Sequence, residues 1–113
     1  RSLVVTEQIR SRAVRVPTAS VSCIDLTVQV GRRVTADEVN ALAADAAKSG
    51  GIFGYTEKPL VSADLRGRSE SIILCGRETS VSVGGLLRVF GWYDNEWGFS
   101  ARMLDMAERI GRR

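Results

Sequence analysis

Apolar residues change their spacing at Gly31, and the change predicts where a strand ends and a helix begins. Before this glycine, apolar and polar residues alternate over residues 24–30, as in a strand with one buried face. After it, Thr35 and Glu38 form a capping box, and apolar residues then recur at helical intervals as far as Gly50. The first half of the chain therefore predicts a strand followed by an amphipathic helix.

The second half is rich in short strands. The pattern predicts strands over residues 52–56, 71–75, 80–83 and 86–93, a further extended piece over 59–62 and an exposed turn over 66–68. The glycine pair at 84–85 is typical of a hairpin between the last two strands.

A final helix is predicted to begin at Asp94 or Asn95 and to end at Gly111. Its apolar stripe contains Met103, Met106, Ala107 and Ile110. The element order β-α-β-β-β-β-α indicates an α+β fold, with a mixed or mostly antiparallel sheet covered by two helices.

Length and charge narrow the class of protein. With 113 residues and a formal net charge of +3, the chain fits one globular domain or part of one. Its arginines are scattered among acidic residues, which argues against nucleic-acid binding as a main role. Apolar runs fall far short of the roughly 20 residues of a membrane span. Because the sequence starts at Arg1 without an initiator Met, we expect an excised piece of a longer protein, and no secretory signal is visible.

The sequence contains no histidine and only two cysteines, Cys23 and Cys75. Without a CxxC pair or a histidine, no metal site is expected. Both cysteines lie among aliphatic residues, so we interpret them as small buried side chains in a reducing compartment. Chemistry that needs histidine as a general base has to borrow it from outside this chain.

Two positions stand out as candidate binding residues. In residues 92–100 a strand runs directly into a helix, and Asp94 or Asn95 either caps that helix or offers a side-chain amide to a ligand carboxamide. Arg15 precedes Val16-Pro17, and a guanidinium in such a stiffened segment can present two donors to a phosphate.

Five segments occur in the order found in one known family. They are Val14-Arg15-Val16-Pro17-Thr18, Ile24-Asp25-Leu26-Thr27, Gly51-Ile52-Phe53-Gly54-Tyr55-Thr56, Leu60-Val61-Ser62-Ala63-Asp64 and Trp92-Tyr93-Asp94-Asn95-Glu96-Trp97-Gly98. Together they resemble the C-terminal part of phosphorylating glyceraldehyde-3-phosphate dehydrogenase and of its relative, erythrose-4-phosphate dehydrogenase. The resemblance covers residues 9–111, and the Tyr-Asp-Asn-Glu-Trp-Gly run is highly specific to the family.

The resemblance implies that residues 1–113 are part of a C-terminal catalytic domain, whose N-terminal NAD-binding Rossmann domain is absent from this sequence. It further implies a cytoplasmic homotetramer that acts on a sugar-phosphate aldehyde and inorganic phosphate, with NAD as cofactor. In the family a histidine activates a cysteine that attacks the aldehyde, hydride passes from the resulting hemithioacetal to nicotinamide, and phosphate releases the acyl group. Neither Cys23 nor Cys75 matches the nucleophile, so no catalytic residue is assigned within this chain.

Two site residues carry over from the family motifs. Arg15 matches the arginine that binds the phosphate of the substrate or the attacking inorganic phosphate. Asn95 matches the asparagine whose amide contacts the nicotinamide carboxamide and so fixes the ring face that receives the hydride.

Two alternatives stay open at the level of sequence. Phe99 and the segment over residues 102–105 look more like erythrose-4-phosphate dehydrogenase, whereas Tyr93 argues for the glyceraldehyde-3-phosphate enzyme. An interpretation from another class is a non-catalytic structural or oligomerisation module that docks through the sheet and the stripe of Met103, Met106 and Ile110. On the first interpretation, the chain alone is predicted to be inactive.

Overall fold

The computed structural model describes residues 10–112, so residues 1–9 and 113 of the predicted domain lie outside the described part. Seven regular elements are found there. They are β1 (Ser22–Gln29), α1 (Ala36–Lys48), β2 (Phe53–Thr56), β3 (Ile72–Cys75), β4 (Ser80–Val81), β5 (Leu86–Tyr93) and α2 (Asn95–Gly111). This order is the predicted one, and the α+β class is confirmed.

β5 is the strand that organises the sheet. It pairs antiparallel with β1, β3 and β4, while β2 and β3 pair parallel, which gives the order β1-β5-β3-β2. The mixed, mostly antiparallel sheet is therefore confirmed. In the β1–β5 register Ser22 lies opposite Tyr93, so the start of β1 and the end of β5 share one end of the sheet.

The predicted turns and caps explain where several elements begin and end. The Thr35 hydroxyl accepts a hydrogen bond from the Glu38 N–H at 3.2 Å and caps α1. The hairpin between β4 and β5 is present, with the Gly85 N–H donating to the Ser82 carbonyl at 2.9 Å. β4 is two residues long rather than the predicted four.

The extended piece predicted over residues 59–62 is wrong at its C-terminal end. A 3-10 turn covers Ser62–Leu65 instead. The Asp64 carboxylate accepts a hydrogen bond from the Val61 N–H at 2.9 Å, and the Asp64 N–H donates to the Val61 carbonyl at 3.0 Å. These two local bonds bend the chain, which an extended segment does not do.

The buried core lies at the end of the sheet where β1 begins. Val21, Leu65 and Ile73 form a cluster of buried side chains, and Leu60 and Trp92 pack against it. Leu65 and Ile73 are almost completely enclosed, with 1% and 2% of their surface exposed. The core therefore fixes the chain just before β1 against the turn that ends at Leu65.

The predicted buried face of β1 is wrong for this chain. Ile24 and Leu26 are 45% and 43% exposed. The physical reason is topological, since α1 packs against β2, which is at the opposite edge of the sheet from β1. The alternation in β1 predicts which side of the strand is apolar. It does not predict whether that side is covered, and no described element covers Ile24 and Leu26.

The apolar stripe of α2 is also uncovered, with Met103, Met106 and Ile110 all more than half exposed. The helix contacts the rest of the chain through a different side. The backbone of Gly98 lies against the Glu70 carbonyl, where an added Cβ would come within 2.9 Å, and the Arg102 guanidinium donates to Ser71 Oγ at 3.1 Å. The first turns of α2 are therefore docked on the loop before β3.

Candidate functional site

The junction between β5 and α2 is organised by Asp94, a buried carboxylate with 7% of its surface exposed. Its Oδ1 accepts hydrogen bonds from the N–H groups of Glu96 and Trp97 at 3.1 and 3.0 Å. These are amides that a helix start leaves without intrahelical partners, so Asp94 is the N-cap of α2.

The second oxygen of Asp94 reaches a distant turn. Oδ2 accepts a hydrogen bond from the Gly67 N–H at 3.0 Å. The bonds from Gly67 and Trp97 lower the pKa of Asp94 below its ordinary value of 3.8, and the positive charge of Arg66 acts in the same direction. Asp94 is thus held as an anion that ties the start of α2 to the turn at residue 67.

Asn95 is the first residue of α2, and its side chain is exposed. Of the two capping residues considered from the sequence, the structure selects Asp94. No hydrogen bond is formed by the Asn95 amide to the described residues, 10–112. Its donor and acceptor are therefore available together to a group outside this part of the chain, such as a carboxamide.

Arg15 lies in the irregular segment before β1, and its side chain is exposed. This segment contains two local hydrogen bonds. The Thr18 N–H donates to the Val16 carbonyl at 2.9 Å, and the Thr18 hydroxyl donates to the Ser20 carbonyl at 3.3 Å. With Pro17 restricted in φ, these bonds limit the conformations open to the chain between Arg15 and Ser20.

The β1–β5 register places the points at which the two candidate segments join the sheet at the same end of it. Arg15 lies seven residues before Ser22, Asn95 lies two residues after Tyr93, and Ser22 and Tyr93 are paired. The structure does not bring the two side chains into contact. It leaves each of them exposed.

The sequence predicts residues 66–68 only as an exposed turn. It gives no sign of the long-range hydrogen bonds that this turn forms. The Arg66 Nε donates a hydrogen bond to Ser20 Oγ at 3.0 Å, while Gly67 contacts Asp94. Gly67 has a positive φ of 80°, which glycine adopts without steric cost. A glycine in a predicted turn is the signal that marks this position, but it does not reveal the partners.

Val21 follows Ser20 and has a left-handed backbone with φ of 74°. For a β-branched residue this conformation is strained, at a typical cost of about 1–3 kcal/mol. Its side chain is buried in the core beside Leu65. The burial of Val21 therefore holds a sharp bend at the junction between the Arg15 segment and β1.

The two cysteines differ in environment. Cys75 is buried as predicted, and burial raises the pKa of its thiol, which keeps it protonated at neutral pH. Cys23 is exposed, so the prediction that both are buried is wrong for this residue. Its strand, β1, is at an edge of the sheet, where coverage by other elements is smallest.

Two cavities open on other parts of the surface, and neither is lined by Arg15 or Asn95. One of about 340 Å³ lies between α1 and β2. Its lining residues are Asp37, Asn40, Ala41, Ala44, Tyr55 and Glu57. The second, of about 450 Å³, is bordered by Cys75, Phe90 and Trp92 together with charged residues of the neighbouring loops.

Over residues 10–112, neither helix has the length and apolar character required to span a membrane.

Comparison with known proteins gives a consistent result. Residues 3–95 match the family model described as "Glyceraldehyde 3-phosphate dehydrogenase, C-terminal domain". The chain is 50% identical over 95 residues to glyceraldehyde-3-phosphate dehydrogenase of Pseudomonas aeruginosa, which covers 84% of this chain. It is 46% identical over 103 residues to the protein of that name in Zymomonas mobilis, covering 88% of this chain.

A relative from Bacillus subtilis, named glyceraldehyde-3-phosphate dehydrogenase 1, is 42% identical over 117 aligned positions and covers 99% of this chain. The chain spans 28%, 31% and 35% of the length of these three relatives. All three relatives are named glyceraldehyde-3-phosphate dehydrogenase, and none of the three is named erythrose-4-phosphate dehydrogenase.

We predict that Asp94→Ala lowers the free energy of unfolding by about 1–2 kcal/mol at neutral pH, since a helix cap and a link to Gly67 are both lost. The pKa of Asp94 is lowered in the folded chain, so its contribution is fully present above pH 3.8 and disappears as the pH falls through the lower folded value. Urea unfolding of the wild type and of Asp94→Ala, from neutral pH to below pH 3.8, measures the difference in free energy of unfolding.

Asp94→Asn is the matched control. It keeps an oxygen for the Glu96 and Trp97 amides but places an NH₂ group where Oδ2 accepts from Gly67. We expect a smaller loss of stability than for Asp94→Ala. A difference between wild type and Asp94→Ala that does not change with pH would contradict the assignment of an ionised cap.

Proposed function

The chain belongs to the glyceraldehyde-3-phosphate dehydrogenase family, and we propose that it is the second half of the catalytic domain of an NAD-dependent enzyme of this type. In the proposed reaction a sugar-phosphate aldehyde, inorganic phosphate and NAD⁺ give an acyl phosphate, NADH and a proton. The complete protein is proposed to contain an N-terminal Rossmann domain, to form a homotetramer and to act in the cytoplasm.

The availability of the Asn95 amide is the observation that best supports this proposal. Asp94 accepts hydrogen bonds from the first amides of α2, so the neighbouring Asn95 side chain is not needed as a helix cap and forms no hydrogen bond to residues 10–112. A side-chain amide offers one acceptor and two donors, which complements the carboxamide of nicotinamide. The residue present at this position therefore fits the cofactor.

Arg15 is the proposed phosphate ligand. Its guanidinium is permanently charged and exposed on the segment that enters β1 from the same end of the sheet. Two parallel N–H donors match two oxygens of a phosphate, which orients the anion as well as attracting it.

In the proposed mechanism this chain supplies residues that bind the cofactor and the phosphate, and the reacting groups come from elsewhere. Asn95 orients the cofactor through its carboxamide, and Arg15 holds the phosphate group. The chemistry that NAD would supply when bound is that of a hydride acceptor. The nucleophile and the general base are proposed to come from outside this chain, since it has no histidine and neither Cys23 nor Cys75 matches the nucleophile of the family.

The direct test compares the full-length protein with residues 1–113 alone. Each is assayed for NADH formation with NAD⁺, phosphate and either glyceraldehyde 3-phosphate or erythrose 4-phosphate. We expect phosphate-dependent activity from the full-length protein with the first aldehyde, and none from the chain alone. Turnover by the chain alone, or a full-length protein that prefers the second aldehyde, would contradict the proposal.

Replacement of the proposed phosphate ligand should affect one substrate selectively. In the full-length protein, Arg15→Ala is expected to raise the KM for phosphate by about 10- to 100-fold, because charge-assisted hydrogen bonds of about 1.5–3 kcal/mol are lost. The Kd for NAD should not change. Arg12→Ala removes an equal charge from the same exposed segment and serves as the control. Equal effects of the two variants would reject a specific role for Arg15.

The Asn95 amide can be separated from helix stability because Asp94 is the cap. Asn95→Ala should lower the rate of hydride transfer by about 10-fold or more through loss of alignment, while the free energy of unfolding changes by less than about 0.5 kcal/mol. Asn95→Asp keeps an acceptor and loses the donor, so it should also be slow. Single-turnover NADH formation and urea unfolding provide the two measurements, with the exposed neighbour variant Glu96→Gln as control. If Asn95→Ala lowers the free energy of unfolding by as much as it raises the activation free energy of hydride transfer, the cofactor role is rejected.

A further inference from the structure

We propose that Arg66 is a positioning residue, which sets the placement of the phosphate-binding segment relative to the start of α2 through its hydrogen bond to Ser20. The inference rests on the proposed function, since it concerns the site formed by Arg15 and Asn95. Arg66 itself is not assigned to the bound phosphate or to the cofactor.

Residues 65–67 are consecutive, and each interacts with a different part of the fold around the candidate site. Leu65 belongs to the same buried cluster as Val21, the last residue before β1. The Arg66 Nε donates to Ser20 Oγ at 3.0 Å, and the Gly67 N–H donates to Asp94 Oδ2 at 3.0 Å. The turn therefore connects the segment that carries Arg15 with the residue that caps α2 beside Asn95.

The contact at Ser20 is well placed to influence Arg15. Ser20 lies only five positions after Arg15, and the Thr18 hydrogen bonds and Pro17 restrict the chain between them. Ser20 is followed by Val21, whose side chain is fixed in the core. The bond from Arg66 therefore links the residue immediately before Val21 to the turn that follows Leu65.

Arg66 is exposed, so its hydrogen bond is expected to contribute little to global stability. Its effect should instead be geometric, and binding of a phosphate by a guanidinium is sensitive to small displacements. The neighbouring Arg68 has a different partner, since it forms an ion pair with Glu70 at 2.6 Å. Arg68 therefore has the same charge on the same turn but does not contact Ser20.

The test uses Arg66→Ala, Ser20→Ala and the double variant in the full-length protein. Each single variant is expected to raise the KM for phosphate by about 3- to 10-fold, with unchanged Kd for NAD and unchanged Tm. The double variant should be no worse than the single variants, because both remove the same bond. Arg68→Ala should leave the KM for phosphate unchanged, and Ser20→Thr, which keeps a hydroxyl, should restore most of the wild-type value.

Additive effects in the double variant would overturn the inference, because they would mean that Arg66 acts independently of Ser20, as it would in direct contact with the anion. An unchanged KM for phosphate in both single variants would overturn it as well. Arg15→Ala distinguishes these failures from failure of the proposed function. If Arg15→Ala raises the KM and the Arg66 and Ser20 variants do not, only the positioning role is lost; if Arg15→Ala has no effect, both proposals fall.

Discussion

The buried carboxylate of Asp94 is the interaction on which the rest of the site depends. It accepts backbone hydrogen bonds from Gly67, Glu96 and Trp97, which belong to two segments far apart in the sequence. Charge-assisted bonds of this kind are stronger than those to neutral acceptors, and loss of one partner in a buried place is costly. The end of β5, the start of α2 and the turn at Gly67 are therefore fixed as one unit.

Local patterns predicted most of the secondary structure because its causes are local. The Thr35 cap, the alternation in β1 and the glycine hairpin each act within a few residues, and the corresponding elements are present. The burial of β1 and of the α2 stripe could not be predicted in the same way. Periodicity reports which side of an element is apolar, whereas coverage of that side depends on what the rest of the protein supplies.

The candidate site was less accessible to sequence reasoning than the fold. Local signals, which are weak, and then family resemblance indicate Arg15 and Asn95, and the structure adds that both side chains are exposed. The bond between Arg66 and Ser20 spans 46 positions and that between Gly67 and Asp94 spans 27. Contacts at such separations leave no periodic trace in the sequence, so only the three-dimensional arrangement reveals them.

The order Asp94 then Asn95 has a chemical logic that the hydrogen bonds make explicit. Position 94 must accept three N–H groups with two oxygens, and an amide there would turn one oxygen into a donor facing the Gly67 N–H. The role proposed for position 95 requires the opposite, because a carboxamide ligand presents both a donor and an acceptor, and a carboxylate could accept a hydrogen bond from it but could not donate one. The two adjacent side chains therefore differ in what they do: the Asp94 carboxylate stabilises the fold, and the neutral Asn95 amide is proposed to bind the ligand.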